Sequence, residues 1–293
     1  MGIYEKLDLP PMPQVINKIL EIDENDINLS LSELHTLISS DPGLVSKIIK
    51  LANSPFYSRM NNITDLQTAM QMLGFKSIKS LTLLISVSRL IPNAARNLVV
   101  QRELWMRAIV RALITKQLAA KTGNRAVQES LFMMALLKNI GQHIMQSRFP
   151  SHYDNIFQEA DSGADLDKLH ALEEETFSIS SNRLSMLIME RWNFPSEFRC
   201  AASLEFNSPE EIVSSCGANS VLVNFGEIIL FYKRLTENIP DTEAYQEKFK
   251  TLFQAHADYL GFDAKQKDYF ENKVDSLFAE DDLYAFCEEL FSA

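Results

Sequence analysis

Lys138 and Asn139 interrupt the apolar run Leu131-Phe132-Met133-Met134-Ala135-Leu136-Leu137 and are followed by Ile140-Gly141. A polar pair at the end of a buried helical run is where chemistry is often placed, but these two types offer little of it. A protonated ammonium has no lone pair, and an asparagine carbonyl is a weak neutral donor to a metal. His170 has Glu173 and Glu174 three and four residues further on, a helical spacing that could set two metal ligands side by side. Two ligands make a poor site, and the run Glu173-Glu174-Glu175 reads more simply as a solvated face. His35, His143, His152 and His256 stand apart and read as structural or exposed; His152 and Asp154 flank Tyr153 just after Pro150. Cys200, Cys216 and Cys287 are odd in number and contain no CxxC pair, which reads as structural thiols in a reducing compartment. Cys216 has no histidine near it in sequence to activate it. The chain has no phosphate-cradling glycine loop, no Gly-x-Ser-x-Gly elbow and no paired-histidine zinc motif.

The elements that must position these residues are helical. Val15, Ile16, Ile19, Leu20 and Ile22 recur at three-to-four spacing after Pro10-Pro11-Met12-Pro13. Ser30-Leu31-Ser32-Glu33 fits a capping box that opens a helix through Ile38. Asp41-Pro42 is an N-cap with proline at the first helical position. A helix over 66–73 is expected to close on Gly74 as a left-handed cap, and the next covers 77–90 up to Pro92. Residues 96–122 form one long helix whose Glu103, Arg107 and Arg111 share a polar face. Further helices are expected over 127–137, 151–160, 166–177, 182–192, 196–206, 221–235, 243–260, 264–278 and 282–290. Alternating runs of Val, Ile and Thr are absent, so the class is all-α with no sheet.

The 293 residues carry a net charge of −11, unevenly spread: +10 over residues 75–148 and −17 over 149–293. The basic residues of the middle segment are dispersed among apolar positions. They are expected to face the acidic segment within one fold rather than nucleic acid. No apolar run is long enough to span a bilayer. The N-terminus lacks a secretory apolar region, and Lys6 argues against myristoylation, so a cytoplasmic protein is expected.

Several local signals then converge in order: Leu9-Pro10-Pro11-Met12-Pro13; Asp41-Pro42-Gly43-Leu44; Leu51-Ala52-Asn53-Ser54-Pro55-Phe56-Tyr57; Met72-Leu73-Gly74; Trp105; Ala135-Leu136-Leu137 before Ile140-Gly141; and Glu190-Arg191-Trp192 before Pro195. This series resembles the HDOD family, a bacterial branch related to the HD-domain phosphohydrolases, over residues 9–206. The resemblance implies a two-lobed all-α fold. It has an N-terminal lobe over residues 1–92, an HD-like lobe over 93–206, and a helical extension over 207–293 packed on the second lobe.

The resemblance also implies where a metal site would stand in catalytic relatives. Its histidine in the long helix falls on Arg107, and its His-Asp pair falls on Lys138 and Asn139. A later histidine falls on Ser181, and a final histidine pair on Glu205 and Phe206. Only Glu205 keeps a ligand type. The expectation is a pseudoenzyme without cofactor or metal, a regulatory protein acting through a protein partner. Arg107 is expected to bond Glu205 or Asn139 across the former site. The alternatives are a metal-dependent phosphohydrolase with a rearranged site, or a sensor of a nucleotide or other phosphorylated small ligand held by Arg107 and Lys138. Asn53, Phe56, Tyr57, Arg59 and Met60, at the break after the third helix, are candidate anchors for the partner.

Overall fold

The computed structural model describes residues 14–22, 27–53, 63–90, 99–124, 127–160, 165–231 and 243–279, and among these every regular element is helical. They fall into two compact units, 14–90 and 99–279. The expected helix over 282–290 lies outside the described residues.

The first unit holds α1 (Gln14–Glu21), α2 (Ile27–Ser39), α3 (Pro42–Ala52) and α4 (Leu66–Ser88), with α4 packed on the other three. Asp41 caps α3 by accepting from Leu44 N at 2.9 Å. The same carboxylate pairs with Arg89 at the end of α4, so one side chain both starts a helix and ties it to its neighbour. Leu44, Ile48, Leu51 and Ala52 are buried along one face of α3, the stripe that its spacing predicts. Ser30 does not open a helix: it lies inside α2 and is buried, because the helix already runs at Ile27. Gly74 (φ 76°, ψ 162°) breaks α4, but in an extended conformation that only glycine tolerates rather than in a left-handed cap, so the helical path resumes at once.

Asn53 follows α3 and is fully committed. Its Nδ2 donates to Ile49 O at 3.0 Å and Ile63 O at 2.7 Å, and its Oδ1 accepts from Ile63 N at 2.7 Å. This clamp spans ten residues of chain. Phe56, Tyr57, Arg59 and Met60 lie outside the described residues.

The second unit contains α5 (Val99–Lys121), α6 (Gln128–Leu137), α7 (Ile140–Arg148), α8 (Pro150–Glu159), α9 (Leu166–Phe177) and α10 (Ser181–Arg191). Beyond these come α11 (Ser196–Ser203), α12 (Pro209–Cys216), α13 (Ala218–Leu230), α14 (Glu243–Tyr259) and α15 (Ala264–Ala279). Sequence periodicity misses α7 and α12. α7 starts directly after Asn139 and is buried on nearly every side, so no polar face marks it. α12 has only eight residues, but a capping box of Ser208 and Glu211 announces it. α5 runs through the middle and packs on α6, α7, α13 and α15. It has almost no apolar periodicity because neighbours surround it: Gln101, Arg107, Arg111 and Thr115 are buried along with Trp105, Ile109 and Ile114.

Candidate functional site

α5 aims Arg111 at the C-terminal end of α6. Its Nε donates to Ala135 O at 2.8 Å, and its Nη1 lies 3.1 Å from Glu227 Oε1 on α13. Lys138, the residue after α6, reaches the other oxygen of the same carboxylate at 2.7 Å and donates to Leu204 O at 2.6 Å. Arg111, Lys138 and Glu227 are 3%, 1% and 1% exposed. One carboxylate between two cations therefore ties α5, α6, α13 and the turn after α11 together. Gly226 makes this approach feasible: a Cβ there would collide with the Thr115 hydroxyl and press on Arg111 O. Burial disfavours the Glu227 carboxylate, but the charges of Lys138 and Arg111 outweigh it and hold Glu227 below the usual carboxylate range. Burial likewise pulls Arg111 down from its ordinary value, opposed by Glu227.

This buried group carries one more positive than negative charge, and its neighbour is tuned to suit. His143 on α7 packs against Trp105 with ring centroids 4.3 Å apart and planes tilted by 40°, and shares a 3.0 Å hydrogen bond between its Nδ1 and Gln101 Nε2. Burial, then the charge of Arg111, pull its pKa down to about 3, so the ring is neutral.

A second cluster lies toward solvent. Glu205 accepts from Asn182 Nδ2 and lies 3.1 Å from His170 Nδ1. Burial opposes the imidazolium of His170, but the hydrogen bond to Glu205 and the charges of Glu173 and Glu205 raise its pKa, with Lys138 pushing the other way. The hydrogen bond from His170 leads the causes that lower Glu205. Glu173 is not part of a solvated face, as its run suggests: it is buried, accepts from Tyr153 Oη at 2.9 Å and from Ser181 N at 2.7 Å. Burial raises its pKa despite those bonds and the His170 charge. Glu174 and Glu175 on the same helix are exposed.

The residues matched to the metal site are thus distributed. Lys138 sits in the buried group, and Glu205 in the outer cluster within reach of its charge. Ser181 starts α10, is buried, and gives its amide to Glu173. Asn139 precedes α7 and makes no side-chain cap; its buried Oδ1 has no hydrogen-bond partner among the described residues. Arg107 does not bond Glu205 or Asn139 as expected. Its Nε donates to Glu103 Oε1 at 2.8 Å one turn back, and its guanidinium lies 5.1 Å from the Phe157 ring centroid. The four-residue spacing that groups Glu103, Arg107 and Arg111 misleads for Arg111, which turns inward. Glu227 escapes the sequence reading, yet it is the sole charge in the apolar stretch Val221–Leu230, and that isolation is its signal.

The cysteines also depart from expectation. Cys200 and Cys216 are not separate thiols but form a disulfide between the second half of α11 and the C-terminal end of α12, with Cα atoms 5.5 Å apart. Cys287 lies outside the described residues. His256 is buried, with Nδ1 2.8 Å from Leu252 O and a pKa pulled down to about 4, chiefly by burial.

The model of the HDOD domain family matches residues 9–207. A curated, uncharacterized protein of Treponema pallidum (strain Nichols) is 21% identical over 273 residues, covering 90% of this chain and 52% of that protein. The chain therefore spans about half the length of that relative. An HDOD domain protein of unknown function from Geobacter sulfurreducens has a solved structure that superposes with a TM-score of 0.73 at 19% identity, covering 99% of this chain and 97% of that one. A protein of Marinobacter aquaeolei VT8 provisionally named for signal transduction gives 0.72 at 20% identity, over 100% of this chain and 62% of that one. A protein of Shewanella amazonensis SB2B provisionally named a phosphohydrolase gives 0.67 at 18% identity, over 98% and 97%. These likenesses establish a shared all-α fold.

Proposed function

The chain belongs to the HDOD domain family, and from that premise we propose that it is a non-catalytic regulatory protein that acts in signal transduction through contacts with a protein partner. The observation that carries this reading is the Arg111–Glu227–Lys138 group. The resemblance puts Lys138 at the position of a metal ligand in catalytic relatives, and its ammonium is salt-bridged to the buried carboxylate of Glu227. Both oxygens of Glu227 are engaged by cations, so a metal ion would have to displace them. The donor set does not fit a metal centre: Arg107, Lys138, Asn139 and Ser181 are poor ligands. Among the described residues no group of three His, Cys, Asp or Glu side chains is placed to hold one. A salt-bridged cross-link then does the structural work that a metal would do between the long helix and its neighbours.

The same observation counts against a phosphorylated ligand at this place, because Arg111 and Lys138 already share a buried carboxylate. It also argues against nucleic acid. Several cations of the basic segment turn inward or pair locally: Arg111 and Lys138 share Glu227, and Lys116 pairs with Glu129 at 2.6 Å. No helix among the described residues is long and apolar enough to cross a membrane. A protein partner is the class we favour, with Phe56, Tyr57, Arg59 and Met60 in the sequence after Asn53 as its candidate anchors.

Two measurements on the purified chain test the proposal. Metal analysis should find no stoichiometric iron, manganese, zinc or nickel. A generic phosphodiester with added divalent metal should be hydrolysed no faster than in buffer. Metal-stimulated turnover abolished by Asn139→Ala or Glu205→Ala would overturn the non-catalytic reading.

A further inference from the structure

The segment between the two bonded cysteines holds the contacts that the outer turn makes with the charged site. Cys200 and Cys216 are 16 residues apart and each is half-buried. Between them, Leu204 O receives the Lys138 ammonium at 2.6 Å and Glu205 receives His170 at 3.1 Å. Phe206 has a positive φ of 51° and sets its ring edge-on to Phe231 and Phe249, with centroids 4.9 and 4.6 Å away. Asn207 O accepts from Asn224 Nδ2 of α13 at 3.1 Å. A non-glycine residue held at positive φ needs its surroundings to keep it there. The bridge supplies part of that constraint by tying α11, at Cys200, to the C-terminal end of α12, so that the two helices flanking the turn are joined.

We propose that Cys200 and Cys216 are a reversible dithiol–disulfide site, reduced by a dithiol, and that its redox state sets how firmly the Leu204–Asn207 turn is held over the charged site. In the reducing direction a thiolate of the dithiol attacks one cysteine sulfur, the S–S bond breaks, and a mixed disulfide forms. The second thiolate of the reductant displaces the remaining cysteine, leaving the reductant as an intramolecular disulfide. Two electrons and two protons end on Cys200 and Cys216 as thiols. Opening the bridge frees α12 to shift against α11, and the acceptors at Leu204 and Glu205 lose their fixed placement against Lys138 and His170. Oxidation by a small disulfide reverses the balance. The device links the redox poise of the surroundings to the surface next to the buried group, independently of whether that group is catalytic.

The test uses the full chain carrying Cys287→Ser, so that Cys200 and Cys216 are the only thiols. The protein is equilibrated across ratios of reduced to oxidised dithiothreitol without denaturant, then quenched and its thiols counted. Two thiols should be found at the reducing end and none at the oxidising end, with full return when the ratio is reversed. Amide hydrogen exchange over 204–208 should be faster in the reduced protein by on the order of tenfold or more. The Cys200→Ser variant of this protein should exchange at the reduced rate in both buffers; if it does not fold, the two redox forms of the parent still decide. Two thiols at every ratio, a bridge that the dithiol cannot open in the folded protein, or equal exchange in the two forms would each overturn the proposal.

Discussion

Glu227 and Glu205 are carboxylates of the same unit, each facing cations, yet Glu227 is 1% exposed whereas the Glu205 side chain is 38% exposed. Glu227 is shielded from solvent, and its charge is balanced by Arg111 and Lys138, which share it. Glu205 keeps partial access to solvent, which can replace any partner it loses. The two histidines nearby divide in the same way: His143, deep and close to Arg111, is driven neutral, while His170, near Glu173 and Glu205, is raised. Depth decides whether a charge is a structural element or an adjustable one.

The largest test of that contrast is Glu227→Ala. It leaves two buried cations without a counter-charge, and breaking one side of a buried pair costs about 3–5 kcal/mol. Urea unfolding should show a loss of this size, or a chain that no longer folds. A loss under about 1 kcal/mol would mean that water enters the site and that its depth is only apparent. The companion experiment replaces the whole group, with Arg111→Met, Lys138→Met and Glu227→Leu together. Apolar substitutes of similar volume are commonly neutral or stabilising when all partners leave at once. The triple variant should therefore be more stable than Glu227→Ala alone, and the difference measures the cost of stranding the cations.

That the fold is helical, and the starts of α3 and α9, are legible in the sequence because each rests on local physics: an apolar stripe at helical spacing, or an Asp before a helix. The charged group is not legible in that way. Arg111 belongs by spacing to the face that carries Glu103 and Arg107, and only packing against α13 turns it inward. Glu227 lies 116 residues away from Arg111, and no local rule links the two. The family resemblance places Lys138 at the former site but assigns the cross-link to Arg107, whose closer carboxylate is Glu103 on its own helix. The disulfide is hidden for the same reason: the separation of 16 residues says nothing until α11 and α12 are folded back on one another.

An effect on the order of a few kcal/mol, confined to acid, is expected from His143. Its folded pKa of about 3 lies below the ordinary 6.5, so as pH falls the unfolded chain takes up a proton before the native state does. The native state is at full advantage above pH 6.5, and the advantage drains away between 6.5 and about 3. His143→Gln keeps a polar group facing Gln101 but removes this titration. Its stability should fall less steeply over that window than the parent's, whatever its offset at neutral pH. Parallel curves for the two proteins would place the acid sensitivity elsewhere, with His256, pulled down to about 4, the next group to change.

The smallest effect belongs to Glu205. Glu205→Gln keeps its shape and its contact with Asn182 while removing the charge. Because the side chain is more than a third exposed, solvent screening limits the stability change to below about 1 kcal/mol. The informative reading is the titration of His170. Burial already disfavours its imidazolium and Lys138 repels it, so with Glu205 neutral only Glu173 still favours the charged ring. Its NMR titration should then shift down from the raised native position. In the parent, the raised folded pKa makes this histidine stabilising at pH values below its unfolded pKa, and that contribution is lost as pH rises through the folded pKa. In Glu205→Gln that alkaline loss should shrink or vanish. An unmoved His170 would show that Glu173 alone sets its charge. The outer cluster would then be as rigidly built as the inner one, and the division by depth would not hold.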